Sequence, residues 1–461
     1  MADDTTRVTT VMWFRRDLRL SDNPALAEAV RTGHEVVPLF VVDPRLWGRA
    51  GDNRRAFLVA CLRALDESLD GRLVVRTGPP ERAVPEVASE ANAPWVFAAE
   101  DFGPYGQQRD EQVARALAAA GTALVIVGSP YAVPPGEITT KSGTAYRVFT
   151  PYSRAWAAHG WPDPMPAPRS PRWSTGITSD GIPDAPVVTA SLPDAGEQAA
   201  KRAARRFWDH ALASYADRRD DPGADATSRL SPYLKWGCIH PRQLLFKLDG
   251  SEAHRRFRTE LCWREFYADV LHEDPASSRR AWNPAMRDLR IDHGGAADAL
   301  FEAWAEGRTG YPLVDAGMRQ LQAEGWMHNR VRMVTASFLV KDLHLDWTLG
   351  ARHFMRHLVD GDVASNQHGW QWVAGTGTDA SPFNRVFNPV AQSTRFDGDG
   401  TYIRRFVPEL RDVDAPAIHE PWTIEGGPPN GYPTPIVDHA DERREALRRY
   451  DELRSRQPPT G

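Results

Sequence analysis

The sequence predicts two joined folds: an α/β N-terminal domain built on a doubly wound parallel sheet, then an all-helical C-terminal domain. Three observations carry this. Short apolar runs alternate with helical patterns over the first 130 residues, a proline-rich polar stretch comes next, and from about residue 200 strand signals give way to helical periodicity. The expected divisions are 1–130 for the α/β domain, 131–199 for a linker and 200–461 for the helical domain.

The runs "VTTVMWF" (8–14), "EVVPLFVV" (35–42), "RLVVR" (72–76), "WVFAA" (95–99) and "ALVIV" (123–127) read as buried strands. They are too continuously apolar for strands with a solvated face, which points to parallel pairing under helices. "NPALAEAVRTG", "NRRAFLVACLRALDESL" and "QVARALAAAG" supply those helices. Such sheets bind ligands beyond the carboxyl ends of their strands. No GxGxxG succeeds the first strand and no Walker loop occurs, so a dinucleotide on this sheet is not expected. A basic turn, "RRDLRLSDNPAL", occupies that position instead. Residues 161–194 are rich in proline and polar side chains and read as an extended connection.

Composition narrows the function classes. Hydrophobic residues make up 41% and charged residues 25%, ordinary for a globular protein. No run of about 18 apolar residues occurs, so no membrane span is expected, and the acidic, polar N-terminus is unlike a signal peptide. Three widely separated cysteines suggest a reducing cytoplasm without a disulfide framework. The net charge of −5 leaves nucleic-acid binding to a local basic patch. His353 and His357 are spaced i, i+4, but no HExxH and no third ligand accompany them, so no metal site is expected.

Residues 360–379, "DGDVASNQHGWQWVAGTGTD", crowd acid, amide and indole together without a Lys or Arg. Asp362 is placed to cap a new helix, which puts Asp362, Asn366 and Trp370 on one face. That face reads either as a capped helix with a buried indole or as a pocket wall against a flat, nitrogen-rich ring. "TSRLSPYLKWG" (227–237) offers Thr227, Ser228 and Ser231, either a capping turn or a phosphate cradle. "ELCWREFY" (260–267) sets Glu260, Trp263, Arg264 and Tyr267 on one helical face. In "WMHNRVRM" (326–333) the helix continues into an apolar run, so Arg332 needs a buried partner, and Asp360 is the candidate.

Taken together with "FRRDLRLSDNPAL", "TGYPLVDAGMRQL", "FNRVFNP" and "YPTPIVDH", these segments resemble the photolyase/cryptochrome family over nearly the whole chain, most closely the microbial class I cyclobutane pyrimidine dimer photolyases. The resemblance implies a U-shaped FAD in the helical domain. Tyr215, Thr227, Ser228, Leu230 and Ser231 would hold its phosphates and sugar, and Arg264, Asn329, Arg332, Asp360, Asp362 and Asn366 would line the flavin and its ribityl chain. It implies light-driven repair, in which excited reduced FAD lends an electron to a dimer flipped out of UV-damaged DNA, single or double stranded. Glu260, Trp263, Asn329, Met333 and Trp372 would form the lesion pocket, with Trp263 and Trp372 against the bases, Glu260 protonated and donating to a base carbonyl, and Arg385 gripping the strand.

Trp370 and Trp347 would relay electrons to the flavin, while the family's outermost tryptophan falls near Gly294, so the relay is broken or rerouted through Trp304 or Trp326. In (6-4) photolyases histidines stand at the positions of Asn329 and Met333, and plant cryptochromes carry Asp at that of Asn366. Dimer repair is therefore expected over the alternative, a cryptochrome-like photoreceptor. An antenna chromophore, an 8-hydroxy-5-deazaflavin with folate or a second flavin as alternatives, would meet Arg54, Asp101 and Lys235. A cytoplasmic monomer is expected.

Overall fold

The computed structural model describes residues 8–379 and 383–456; residues 380–382 of the "DGDVASNQHGWQWVAGTGTDASPFNRVFNP" motif and the first seven residues lie outside the described residues. Five strands, β1 (Thr9–Phe14), β2 (Glu35–Val42), β3 (Val74–Thr77), β4 (Trp95–Ala98) and β5 (Ala123–Ile126), form one sheet in the order β3-β2-β1-β4-β5. All four pairings are parallel. β1 and β2 are buried along almost their whole length, as strands covered on both faces must be.

The covering helices are Pro24–Thr32, Asp52–Ser68, Pro80–Glu90 and Pro104–Ala119. The Pro80–Glu90 helix escapes sequence reading because Pro79, Pro80 and Pro85 break the pattern, although proline suits a first helical turn. The last of the four starts well before "QVARALAAAG", at Pro104, because the polar run "YGQQRDE" carries no apolar period.

Strand order reverses between β1 and β4, so a crevice opens beyond their carboxyl ends. The loops there carry Arg15 and Arg16 after β1, and Glu100 and Asp101 after β4. They face the helical domain. The stretch expected as a linker is more ordered than its composition suggests: it contains the Phe149–His159 helix, and the next helix, Gly196–His210, begins inside it. Between these helices the chain is extended and pinned to the sheet edge. The Ser174 amide donates to the Val36 carbonyl at 2.8 Å, the Asp180 amide to Val75 at 2.8 Å, and the Thr77 amide to the Asp180 carboxylate at 2.7 Å. The bonds to Val75 and Thr77 cover the open side of β3, an edge that would otherwise offer unpaired backbone groups, and the bond to Val36 extends the pairing to the start of β2.

The helical domain is built around the 22-residue Glu252–Glu273 helix, with Asn329–Ser337, Trp347–His357 and Val363–Ala374 packed near it. One apolar core lies within this domain, around Trp304, Met318, Phe354 and Trp370. A second runs across the domain boundary and joins Phe14, Leu18, Phe57 and Leu62 to Phe207, Tyr233 and Phe257.

Polar bonds fix the register of that boundary. The Leu18 amide donates to Trp236 O at 3.1 Å, Arg19 Nη1 to Gly237 O at 3.0 Å, and Arg242 pairs with buried Asp22 at 2.7 Å. Gly237 makes the approach possible: its φ is +65°, and a Cβ there would lie 1.9 Å from the Arg16 carbonyl oxygen. Cys61 and Cys238 also meet across the boundary as free thiols, 3.6 Å apart. Among the described residues no helix is long and apolar enough to cross a membrane, and no cluster of His, Cys, Asp or Glu could hold a metal ion.

Candidate cofactor and substrate site

A cavity of about 510 Å³ opens in the helical domain. Each residue expected around the flavin and the lesion lines it, from Tyr215 and the Thr227–Ser231 turn to Glu260, Trp263, Arg264, Asn329, Arg332, Met333, Asp360, Asp362, Asn366, Trp370 and Trp372. The Glu252–Glu273 helix contributes one wall, the Asn329–Ser337 helix a second and the Val363–Ala374 helix a third.

The acidic wall is electrostatically matched. Arg332 Nη2 and Asp360 Oδ2, expected as a pair, lie 2.9 Å apart, with the Asp360 side chain only 3% exposed. Asp362 caps its helix by accepting the Ser365 amide at 3.2 Å. It also pairs with Arg16 at 2.7 Å and lies 3.7 Å from Lys235 Nζ. Burial would raise the Asp362 carboxyl, but Arg16, Lys235 and Arg264 outweigh it and hold the group well below the usual carboxylate range. Burial, reinforced by like charge on Arg16, drives the Lys235 ammonium down to about 7.

The hydroxyl turn is tight. Arg229 adopts φ +48°, uncommon for a residue with a side chain, and the Leu230 amide meets Ser228 Oγ at 3.4 Å. The Trp326 indole donates to Ser231 Oγ at 3.2 Å and carries the Arg229 guanidinium 4.3 Å above its ring. Across the cavity, Arg264 donates to the carbonyls of Pro130 and Leu234, each at 3.3 Å, and so ties the central helix to the α/β domain. Asn366 donates its amide to Ala351 O at 3.1 Å.

Glu260 departs from expectation. It is not secluded: its side chain is 30% exposed and forms an ion pair with Arg219. A carboxylate held by a guanidinium accepts hydrogen bonds rather than donating one. Trp263 and Trp372 are half-buried on the cavity wall, as is Met333, while Asn329 is exposed at its rim.

Lys235 lines the cavity too, whereas Arg385, Arg54, Asp101 and Trp347 lie outside its lining. Arg385 is exposed, stacks 5.5 Å over Phe387, and among the described residues forms no ion pair. Its carbonyl accepts from buried Lys341 at 2.9 Å. Arg54 is buried and donates to the carbonyls of Met355 and Leu358. Asp101 pairs with Arg109 at 3.1 Å. Both Arg54 and Asp101 act electrostatically on Lys235, so the three converge at the domain junction. Trp347 is buried at the start of its helix. The Trp370 ring meets Phe354 at 5.0 Å and Trp304, edge to face, at 6.0 Å, whereas Gly294 only caps a helix. Trp326 sits in the cavity wall instead.

Sequence reading missed Arg16, Arg219 and Arg229, and it named Trp326 only as a relay alternative, not as part of the cavity wall. Arg16 stood in a recognised basic turn, but its partner lies 346 residues away. Arg229 and Trp326 lay inside motifs read for other residues.

These charges set two expected outcomes. Arg332→Ala strands the buried Asp360 carboxylate and should cost about 3–5 kcal/mol of stability, whereas Arg332→Ala with Asp360→Asn recovers most of it; urea melts of the three proteins check this. Between pH 7 and about 10 the unfolded chain keeps a proton on Lys235 that the folded apoprotein has released. Apoprotein stability should therefore rise across that window by about 1 kcal/mol per pH unit or less. Lys235→Met should flatten the rise, as read from chemical melts at pH 7, 8 and 9.

Comparison with known proteins agrees with this geometry. The family model described as DNA photolyase matches residues 10–170, and the FAD binding domain of DNA photolyase matches 257–452. The deoxyribodipyrimidine photo-lyase of Streptomyces griseus is 45% identical over 94% of this chain and 97% of its own. A bacterial class III photolyase from Agrobacterium tumefaciens superposes with a TM-score of 0.92 at 37% identity, covering 99% of both chains. An archaeal photolyase from Sulfolobus tokodaii, solved with two FAD molecules, gives 0.85 at 30% identity over 96% of this chain and 100% of its own. The motif resemblance to class I enzymes and the structural likeness to a class III enzyme agree on the family and differ on the class. The chain belongs to the photolyase/cryptochrome family.

Proposed function

We propose that this protein repairs cyclobutane pyrimidine dimers in UV-damaged DNA, using FAD held in the helical-domain cavity. The observation that carries the reading is the convergence of the hydroxyl turn, the acid–amide–indole wall and two half-buried indoles on one cavity. Its volume of about 510 Å³ lies in the range of cofactor sites. Two buried polar atoms on the wall, Asp360 Oδ1 and Trp370 Nε1, lack a protein partner, which fits a polar, ring-bearing ligand. When bound and reduced, FAD supplies, on light absorption, the electron that opens the dimer.

The chain's own residues do the rest. Thr227, Ser228 and Ser231 give hydroxyls to the cofactor's phosphates, and Tyr215 and Leu230 pack beside them. Arg332, Arg264, Asp360, Asp362 and Asn366 orient the ring system and its chain. A dimer is unreachable inside a duplex, so it enters the cavity flipped. Trp263 and Trp372 flank it, and Asn329 and Met333 close the rim. Glu260, paired with Arg219, accepts from a pyrimidine ring N–H, and Arg219 offers donors next to it. Neither Asn329 nor Met333 supplies acid chemistry, which supports dimers over (6-4) products. An antenna chromophore, whether deazaflavin, folate or second flavin, would sit where Arg54, Asp101 and Lys235 converge.

Illumination of the purified, FAD-loaded protein with dimer-bearing single-stranded DNA should restore absorbance at the thymine band. Flavin bleaching without that recovery would point to a photoreceptor instead. Arg385 supplies the strand contact. Arg385→Ala should lower the slope of log affinity against log salt by about one unit, and an unchanged slope removes it from the phosphate contacts.

A further inference from the structure

Trp263 is backed by a second ring that the sequence motifs do not single out. The Phe149 ring lies parallel to it, at 3.6 Å between centroids and 4° between planes. Phe266 meets the indole edge-on at 5.7 Å and Tyr267 lies tilted at 5.3 Å. One face of the indole is therefore covered and its edges are held. The rest borders the cavity.

Phe149 comes from the stretch expected as the linker, and it is fixed by a segment 230 residues away in the sequence. It opens the Phe149–His159 helix, whose preceding residue, Val148, gives no side-chain cap. Asp379, just beyond the Trp-bearing helix, takes that role and accepts the Phe149 amide at 3.0 Å. Thr378 donates to the Arg147 carbonyl. The Arg147 guanidinium, exposed, lies 5.6 Å over the Trp282 ring, and Val148 is 46% exposed beside it. Residues 147–149 thus form a strap clipped to residues 378–379, with an apolar and a cationic side chain outside and an aromatic one inside.

We infer that Phe149 is a positioning residue for lesion recognition: it holds the Trp263 indole so that a flipped pyrimidine completes a three-ring stack. The inference rests on the dimer-repair reading and deepens it. A free indole would lose rotamer freedom on binding, a cost of about 0.5–1.5 kcal/mol per side chain. Here folding has already imposed that order. Undamaged DNA, which leaves its bases stacked in the helix, would not touch Trp263, so Phe149 acts on discrimination rather than on general affinity.

The experiment measures the affinity of the FAD-loaded protein for one oligonucleotide with and without a single thymine dimer. It uses wild type, Phe149→Leu, which keeps bulk and removes the ring, and Phe149→Tyr, which restores it. Phe149→Leu should weaken dimer binding by about three- to tenfold, leave undamaged DNA and the salt slope unchanged, and lose nothing in dimer splitting at saturating DNA. Phe149→Tyr should return to within twofold of wild type. Equal loss for damaged and undamaged DNA, or a Leu variant that discriminates like wild type, overturns the inference. So does a loss that Tyr fails to rescue. A wild-type protein with no preference for the dimer defeats the repair reading itself, and the inference falls with it. Equal FAD content and far-UV circular dichroism in all three proteins exclude misfolding. Should Leu fail that check, Asp379→Asn, which weakens the strap's cap and leaves the ring, should lower dimer preference in the same direction; unaltered preference there overturns the inference as well.

Discussion

The carboxylate of Asp362, only 13% exposed, organises this molecule. It caps the Val363–Ala374 helix, stands in the cavity wall and receives a guanidinium from the other domain. An isolated buried carboxylate would be prohibitive. Arg16 and Lys235 make it tolerable, and both positions depend on the domains being docked. Arg16 in turn needs the loop after β1 to lie against Gly237, where any side chain would collide with that loop's backbone. Cavity, helix start and domain docking are thus one coupled arrangement. The switch point of the sheet, where such folds ordinarily take a ligand, is used here to hold the wall of a cavity in the neighbouring domain.

The cost of that arrangement explains why the boundary is mostly apolar. The core that joins Phe14, Leu18 and Phe57 to Tyr233 and Phe257 supplies non-directional stabilisation, while the polar bonds choose the register. Glu265 shows the same division of labour. It is fully buried, and burial raises its carboxyl, but it accepts from the amides of Ala132 and Val133 and from the Trp156 indole, so the strand-to-helix connection is tied to the central helix.

Local pattern made the strands and most helices legible, since continuous apolar runs of Val, Phe and Leu favour strands covered on both faces; β5 is the exception, because as the edge strand it is half-exposed rather than buried. The cavity wall was legible too, because Asp362, Asn366 and Trp370 share a helical face and Asp360 lies two residues before the cap. What escaped was set by distance in sequence. Nothing local says that Arg16 meets Asp362, that Arg219 pairs with Glu260, or that Phe149 stacks on Trp263. The setting of Glu260 was misjudged for that reason: a carboxylate near indoles looks secluded until its guanidinium partner is located. The linker was misjudged in part because proline and glycine mark the absence of helix, not the absence of hydrogen bonds to a neighbouring edge.

Net charge misleads in the same way. A chain with five excess negative charges would be a poor binder of a polyanion if those charges were evenly spread. They are not. Acidic residues near the cavity are neutralised in pairs, as Asp360 by Arg332, Glu260 by Arg219 and Asp220 by Arg330. Among the described residues, Arg147 and Arg385 form no ion pair, and each lies over an aromatic ring with its charge exposed. Both belong to segments bonded to elements of the site, the first through Thr378 and the second through buried Lys341. On the proposed function these two cations are the ones left free for a phosphate, while the paired acids stay occupied. Local pairing, not the sum over the sequence, sets the field around the cavity.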